Sequence, residues 1–328
     1  MTISREQELC WIVGLVVAAA GFLVPAAVAQ EYPAKPIRVV VAATTGGGPD
    51  TVMRLVGPKL SAISKQSVII DNRSGAGGNL GTEIVAKSAP DGYTLLVSVP
   101  TLTTSPSLYR QLGYDVFRDF ASVTLLTTQS YLLVVHPSVP AKNLQDLMGL
   151  ARAKKESLSY ASTGVGQLAH LGVELLLSMG KFEALHVPYK GASLAILDVL
   201  SGRVDMFMVT PASSRVHVQA GKLRAIAATG EKRSLTFPEI PTVAEQGLRD
   251  YKVDGWYGLH APFGTPPKVI AFLQEKVLEI FRMRDVDDGL KTMGAQAIGS
   301  TPAELDAFLK TDYDKWSVLI KKLGITPE

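Results

Sequence analysis

The 328-residue chain is 47% hydrophobic and 19% charged, with a formal net charge of +3 and a single cysteine. So mild a charge, with no basic stripe interleaved with aromatics, excludes the nucleic-acid-binding class. One cysteine excludes disulfides and cysteine metal clusters, while the apolar content supplies a large core and leads us to expect two domains.

The first thirty residues differ from the rest. "CWIVGLVVAAAGFLVPAAVA" is apolar throughout and ends in an A-x-A pattern at Ala27 and Ala29, so we expect residues 1–29 to be a signal peptide cleaved after Ala29, with the mature protein in the periplasm. A retained membrane anchor is the rival reading of the same run.

Strand-like and helix-like segments then alternate. "IRVVVAA" reads as a buried strand, followed by a helix from about Asp50 to Ser64 that Pro58 is expected to kink near Arg54. "SVIIDN", the helix after "RSGAGGNLG", and "PDGYTLLVSV" complete a βαβαβ unit. "ASVTLLTTQ" and "YLLVVHP" read as one long crossing strand. The pattern restarts with "LSYAS", "TGVG" and the helix "QLAHLGVELLLSMG", continues through "EALHVPYKG" and "RVDMFMV", and returns through the extended "YKVDGWYGLHAP". The C-terminal end is helical, and Thr301-Pro302-Ala303-Glu304 is a capping box with proline at the first helical position. The expected fold is therefore α/β with two lobes, each a mostly parallel sheet flanked by helices, and two crossing strands between them. The expected boundaries are 30–128 with 255–328 for the first lobe and 129–254 for the second.

Three loops share one form: a strand end, small or hydroxyl residues with glycine, then a helix start. They are Thr44-Thr45-Gly46-Gly47-Gly48 before Pro49-Asp50, Ser74-Gly75-Ala76-Gly77-Gly78-Asn79, and Ser162-Thr163-Gly164-Val165-Gly166-Gln167. A helix N-terminus offers unpaired amides and partial positive charge, and glycine lets an anion approach them. An ordinary tight turn is the competing reading of any one loop. A Rossmann site is disfavoured, since Gly75, Gly77 and Gly81 follow G-x-G-x-x-x-G and no acidic residue ends the next strand. No Walker A lysine, G-x-S-x-G elbow or H-E-x-x-H zinc motif is present. His170 and Glu174 lie one helical turn apart, and His170 is also a candidate pocket wall. Trp256 and Tyr257 read as either core or cleft wall. No catalytic residue, metal site or cofactor is expected.

The stretches "YPAKPIRVVVAATTGGGPD", "NRSGAGGNLGTEIVAKSAPDGYTLL", "YASTGVGQLAHLGVELL", "HVPYKG", "PEIPTVAEQGL" and "APFGTPP" together resemble the solute receptors of tripartite tricarboxylate transporters, the Bug receptors. The resemblance implies a non-catalytic periplasmic protein that pinches a small carboxylate between two lobes, for membrane permease subunits or for a sensor. The ligand-binding residues it implies, together with the loop reading, are Thr44, Thr45, Gly46, Gly47, Gly48 and Asp50 on one side. On the other they are Ser162, Thr163, Gly164, Gln167, His170 and Tyr189. Ala42-Ala43 stands where the family usually has Pro-Phe, which implies less aromatic surface on one wall and more hydroxyls. The alternatives are an α/β enzyme acting on a carboxylated metabolite and a membrane-anchored carboxylate sensor.

Overall fold

The computed structural model describes residues 32–153 and 158–326. The expected signal peptide over residues 1–29 lies outside them. Lys35–Glu328 forms one unit.

Two sheets organise this unit. The first has the order β11-β4-β10-β3-β1-β2 and the second β7-β6-β8-β5-β9. β1 (Ile37–Val41), β2 (Val68–Asn72) and β3 (Thr94–Ser98) run parallel, as do β6 (Leu158–Ser162), β7 (Ala184–Pro188) and β8 (Met206–Val209). These are the βαβ cores that the alternating pattern predicts. The remaining strands add antiparallel pairs, so each sheet is mixed around a parallel core. β4 (Phe120–Ser130), β10 (Asp254–Pro262) and the two-residue β11 (Gln296–Ala297) pair antiparallel in the first sheet. β5 (Leu132–Val135) runs antiparallel to β8 and to β9 (Arg224–Ala228) in the second. Strands that carry the chain between sheets have no crossover helix to return them to the same direction, so they enter against the grain. The long crossing strand of the sequence is two strands, β4 and β5, which belong to different sheets and part at Tyr131.

The helices follow the strands. α1 (Gly48–Ser64) runs continuously through Pro58; α2 (Asn79–Ala86) follows a 3₁₀ turn at Ala76–Gly78; α3 is Thr101–Leu108. α4 (Leu144–Ala153), α5 (Leu168–Gly180), α6 (Ala192–Leu200) and α7 (Pro211–Gln219) flank the second sheet. α8 (Pro267–Phe281), α9 (Arg284–Thr292) and α10 (Pro302–Leu323) end the chain. α10 opens on the expected capping box: Thr301 Oγ1 accepts from the Glu304 amide at 3.2 Å, and Glu304 Oε2 accepts from the Thr301 amide at 2.8 Å. Its first half buries Leu305 and Leu309 in the first-sheet core. Its second half buries Trp316, Leu319 and Ile320 in the second-sheet core. One helix therefore contributes to both cores.

Candidate ligand-binding cleft

All six parallel strands end at one place. Beyond the carboxyl ends of β1–β3 and β6–β8 lies a cleft of about 570 Å³, walled by the loops that follow them. Each loop leads into a helix, so the amino ends of α1, α2, α3, α5, α6 and α7 converge on the same space. Six helix N-termini around one volume favour an anion there beyond what basic side chains supply. Lys190 is the one basic residue among the described residues lining the cleft, and no carboxylate lines it.

The first loop explains its glycines by contact. A methyl group at Gly48 would overlap the Tyr257 hydroxyl, so only glycine lets α1 start against that ring. The Gly47 amide closes a turn onto the Thr44 carbonyl at 3.1 Å. The Gly46 amide donates to Asp50 Oδ2 at 2.7 Å, and the same oxygen accepts from Arg54 Nε at 2.9 Å. Asp50 is fully buried. Burial raises its carboxyl, but the hydrogen bonds from Arg54 and Gly46 outweigh this and hold it below the usual carboxylate range. Among the described residues the Thr45 and Gly48 amides donate to no protein acceptor.

The second-lobe loop rests on a stack of rings. His170 and His186 lie face to face at 4.0 Å between centroids, and Tyr160 stacks on His186 at 4.8 Å. His170 Nδ1 accepts from the Gly166 amide at 3.0 Å, which places its proton on Nε2, facing Glu174 at 3.8 Å. Burial, with His186 beside it, lowers the His170 pKa to about 3, and burial lowers that of His186 to about 4. Ser162 Oγ accepts from the Gly164 amide at 3.1 Å and sits 2.7 Å from His186 Nε2. The second-lobe loop meets the Ser74–Asn79 turn at Gly77, where an added methyl would come within 2.7 Å of Gln167 Nε2; the Gln167 side chain thus reaches that first-lobe glycine turn.

Of the sequence-derived candidates, Thr44, Gly47, Gly48, Thr163, Gly164, Gln167 and Tyr189 line the cleft. Thr45, Gly46, Asp50, Ser162 and His170 do not. Asp50 is turned back to brace its own loop, and Ser162 and His170 lie beneath theirs, buried by the hydrogen bonds above. Tyr189 presents its ring, because its hydroxyl donates to Asp198 at 2.8 Å.

Sequence reasoning left out four contributors. The Ser74–Gly78 loop lines the same cleft, and its form was visible. Thr210 caps α7 ahead of Pro211, a readable helix start, and brings Ser213 with it. Lys190 precedes the α6 start. Tyr131 joins the linking strands, and no local signal marks it; of the pair read from sequence as core or cleft wall, Tyr257 lines the cleft and Trp256 faces the core. Tyr257 accepts from Gln129 Nε2 at 2.7 Å through its hydroxyl oxygen. Its own proton has no protein acceptor among the described residues, and the group faces the cleft.

Two α/β sheets linked by a pair of strands, with a polar cleft at the carboxyl ends of both, define a two-lobed solute receptor of the periplasmic-binding-protein type. The chain belongs to the tripartite tricarboxylate transporter receptor family, whose model matches residues 52–325. It is 32% identical over 319 residues to protein BugT of Bordetella pertussis, covering 97% of this chain and 98% of that one. Similar solved structures include R. palustris Rpa4515 with adipate, at 32% identity and a TM-score of 0.83, covering 91% of this chain and 100% of that one. MatC (Rpa3494) from Rhodopseudomonas palustris with bound malate is 30% identical with a TM-score of 0.78, covering 88% and 100%.

Proposed function

We propose that this chain captures a small carboxylate in the cleft outside the cytoplasmic membrane and delivers it to the permease subunits of a tripartite transporter, without catalysis. One observation carries the reading: six helix N-termini converge on a space walled by no carboxylate. An anion there gains the favourable field of the helix ends and charge-assisted hydrogen bonds from amides without a protein acceptor, such as that of Gly48. The adipate and malate bound by similar receptors support a dicarboxylate-sized ligand. In this reading the ligand contacts are Thr44, the Gly48 amide, Thr163, Gly164, Gln167 and the Tyr257 hydroxyl. The lobes in this reading divide where the chain changes sheet, at Tyr131 and Val253.

The enzyme alternative has one attractive feature, the 2.7 Å approach of Ser162 Oγ to His186 Nε2. Ser162 is fully buried, and its oxygen is engaged by the Gly164 amide, so it offers no nucleophile to the cleft.

Titration calorimetry with mono-, di- and tricarboxylates tests the proposal. Gly47→Val is expected to weaken the bound carboxylate by about 2 kcal/mol, roughly thirtyfold, by blocking one or two charge-assisted hydrogen bonds. The ligand-free melting temperature should change far less. Unchanged affinity in the variant would remove this loop from the site, and turnover of the carboxylate would refute the receptor reading.

A further inference from the structure

A second cavity, of about 450 Å³, shares no wall residue with the cleft. It is walled by the ends of the linking strands at Thr128–Ser130 and Asp254, by α10 from Phe308 to Lys315, and by the segment 231–235 that follows β9. Both sheets therefore contribute to it.

Its charges are of both signs and incompletely matched. Lys252 pairs with Glu231, and Arg233 with Glu245. Asp312 is satisfied by neutral donors: Thr103 Oγ1 at 2.6 Å, Trp256 Nε1 at 3.1 Å and Trp316 Nε1 at 3.0 Å. Asp254 is different. It is half-buried, and the Glu231 amide at 3.5 Å is the hydrogen bond it receives among the described residues. Lys315, also half-buried, donates to the Lys252 carbonyl and lies 4.3 Å over the Trp316 ring, with donors left over. Asp254 and Lys315 attract each other yet form no ion pair. Burial raises the Asp254 carboxyl and lowers the Lys315 ammonium, so each is partly stripped of water without a charged partner in contact. The walls also hold Leu235, 51% exposed, with Ile298 and Phe308.

An opposed carboxylate and ammonium, held apart beside an apolar wall, match a molecule that carries both charges on adjacent atoms and a hydrocarbon side chain. We infer that this cavity is a second ligand site, and that it takes an α-amino acid with an apolar side chain: ammonium on Asp254, carboxylate on Lys315, side chain against Leu235, Ile298 and Phe308. The assignment is independent of what the cleft binds.

The test is calorimetry and thermal shift with L-leucine, L-valine and L-phenylalanine, on the wild-type chain and on Gly47→Val, which obstructs the cleft. At least one of the three should bind both proteins alike. Asp254→Asn and Lys315→Met should each weaken it by about tenfold or more, the scale of a lost charged hydrogen bond. Removing either ligand charge should do the same, so 4-methylpentanoate and 3-methylbutylamine should bind at least as much more weakly than leucine. Leu235→Trp, on the exposed rim, should block binding while leaving the ligand-free melting temperature unchanged, which separates loss of the site from loss of the fold. The inference fails if none of the three amino acids binds at millimolar concentration. It fails equally if Gly47→Val abolishes their binding, or if binding is indifferent to Asp254→Asn, Lys315→Met and Leu235→Trp.

Discussion

Gly48 and Tyr257 are far apart in sequence and in contact in space, and the contact sets where the first loop sits. Gly48→Ala should push the Tyr257 ring away from α1 and weaken carboxylate binding. Tyr257→Phe removes the hydroxyl that the new methyl would strike, but also a donor aimed at the cleft. The two substitutions should therefore be non-additive in a double-mutant cycle read by calorimetry, since both act on one contact. Additive losses would mean that the ring and the loop serve the ligand separately. Ser162→Ala and Thr163→Ala should part company in the same assay. Thr163 faces the cleft and its loss should cost binding about 1 kcal/mol, the scale of one neutral hydrogen bond. Ser162 is buried against Gly164 and His186, so its loss should lower the melting temperature more than the affinity.

The element most exposed to conditions is the histidine stack beneath the second-lobe loop. Both rings are neutral in the folded protein, with pKa values lowered to about 3 and about 4 from an unfolded value near 6.5. The buried His260 is likewise lowered to about 3. Between these limits the unfolded chain binds more protons than the folded one. Stability is thus fully present above about pH 6.5 and falls as the pH drops toward 4, by up to ~1.4 kcal/mol per pH unit for each ring. Urea midpoints measured across that range check the slope, and His170→Gln should make it shallower. Protonation of folded His170 would also remove the acceptor of the Gly166 amide, so carboxylate affinity should hold through that window and decline only as the pH approaches 3. None of this stacking is legible in the sequence, where His170 and His186 stand on different elements. What is legible is local: the glycine loops, the strand ends and the Thr301–Glu304 capping box all appear in the folded chain where their neighbours in sequence place them. α3 shows the opposite case. "TLTTSPSL" is poor helix material, with a run of threonines and Pro106, yet it is a helix because its side chains bond outward. Thr101 donates to the Gly77 carbonyl, Thr103 to Asp312 and Ser105 to Asn79. Loop hydroxyls misled for a related reason, since a hydroxyl side chain faces the cleft at Thr163 and the backbone of its own loop at Ser162.

At the scale of the whole molecule, a cleft between two sheets linked by two strands should close on its ligand. Small-angle scattering with a saturating carboxylate should give a more compact particle than the free protein. A profile unchanged by a ligand that calorimetry shows is bound would mean a preformed pocket. α10 should oppose independent motion, since it is anchored in both cores. Trp316→Ala should cost about 3–5 kcal/mol, the scale for deleting a buried tryptophan, read as a lower denaturation midpoint. The strand order has a consequence in time. Every strand of the second sheet lies within Leu132–Ala228, a continuous stretch. The first sheet is interrupted at its middle, because β10 fits between β3 and β4 and pairs Gly258 with Ser98. A chain that emerges amino end first therefore carries β3 and β4 with open edges until the last quarter of its length arrives. Non-local pairing of this kind is slow, and unpaired apolar edges invite aggregation. In pulsed hydrogen exchange during refolding, amides of β5–β9 should gain protection before those of β3 and β4. The half of the protein that begins the chain would thus be the half that finishes folding last.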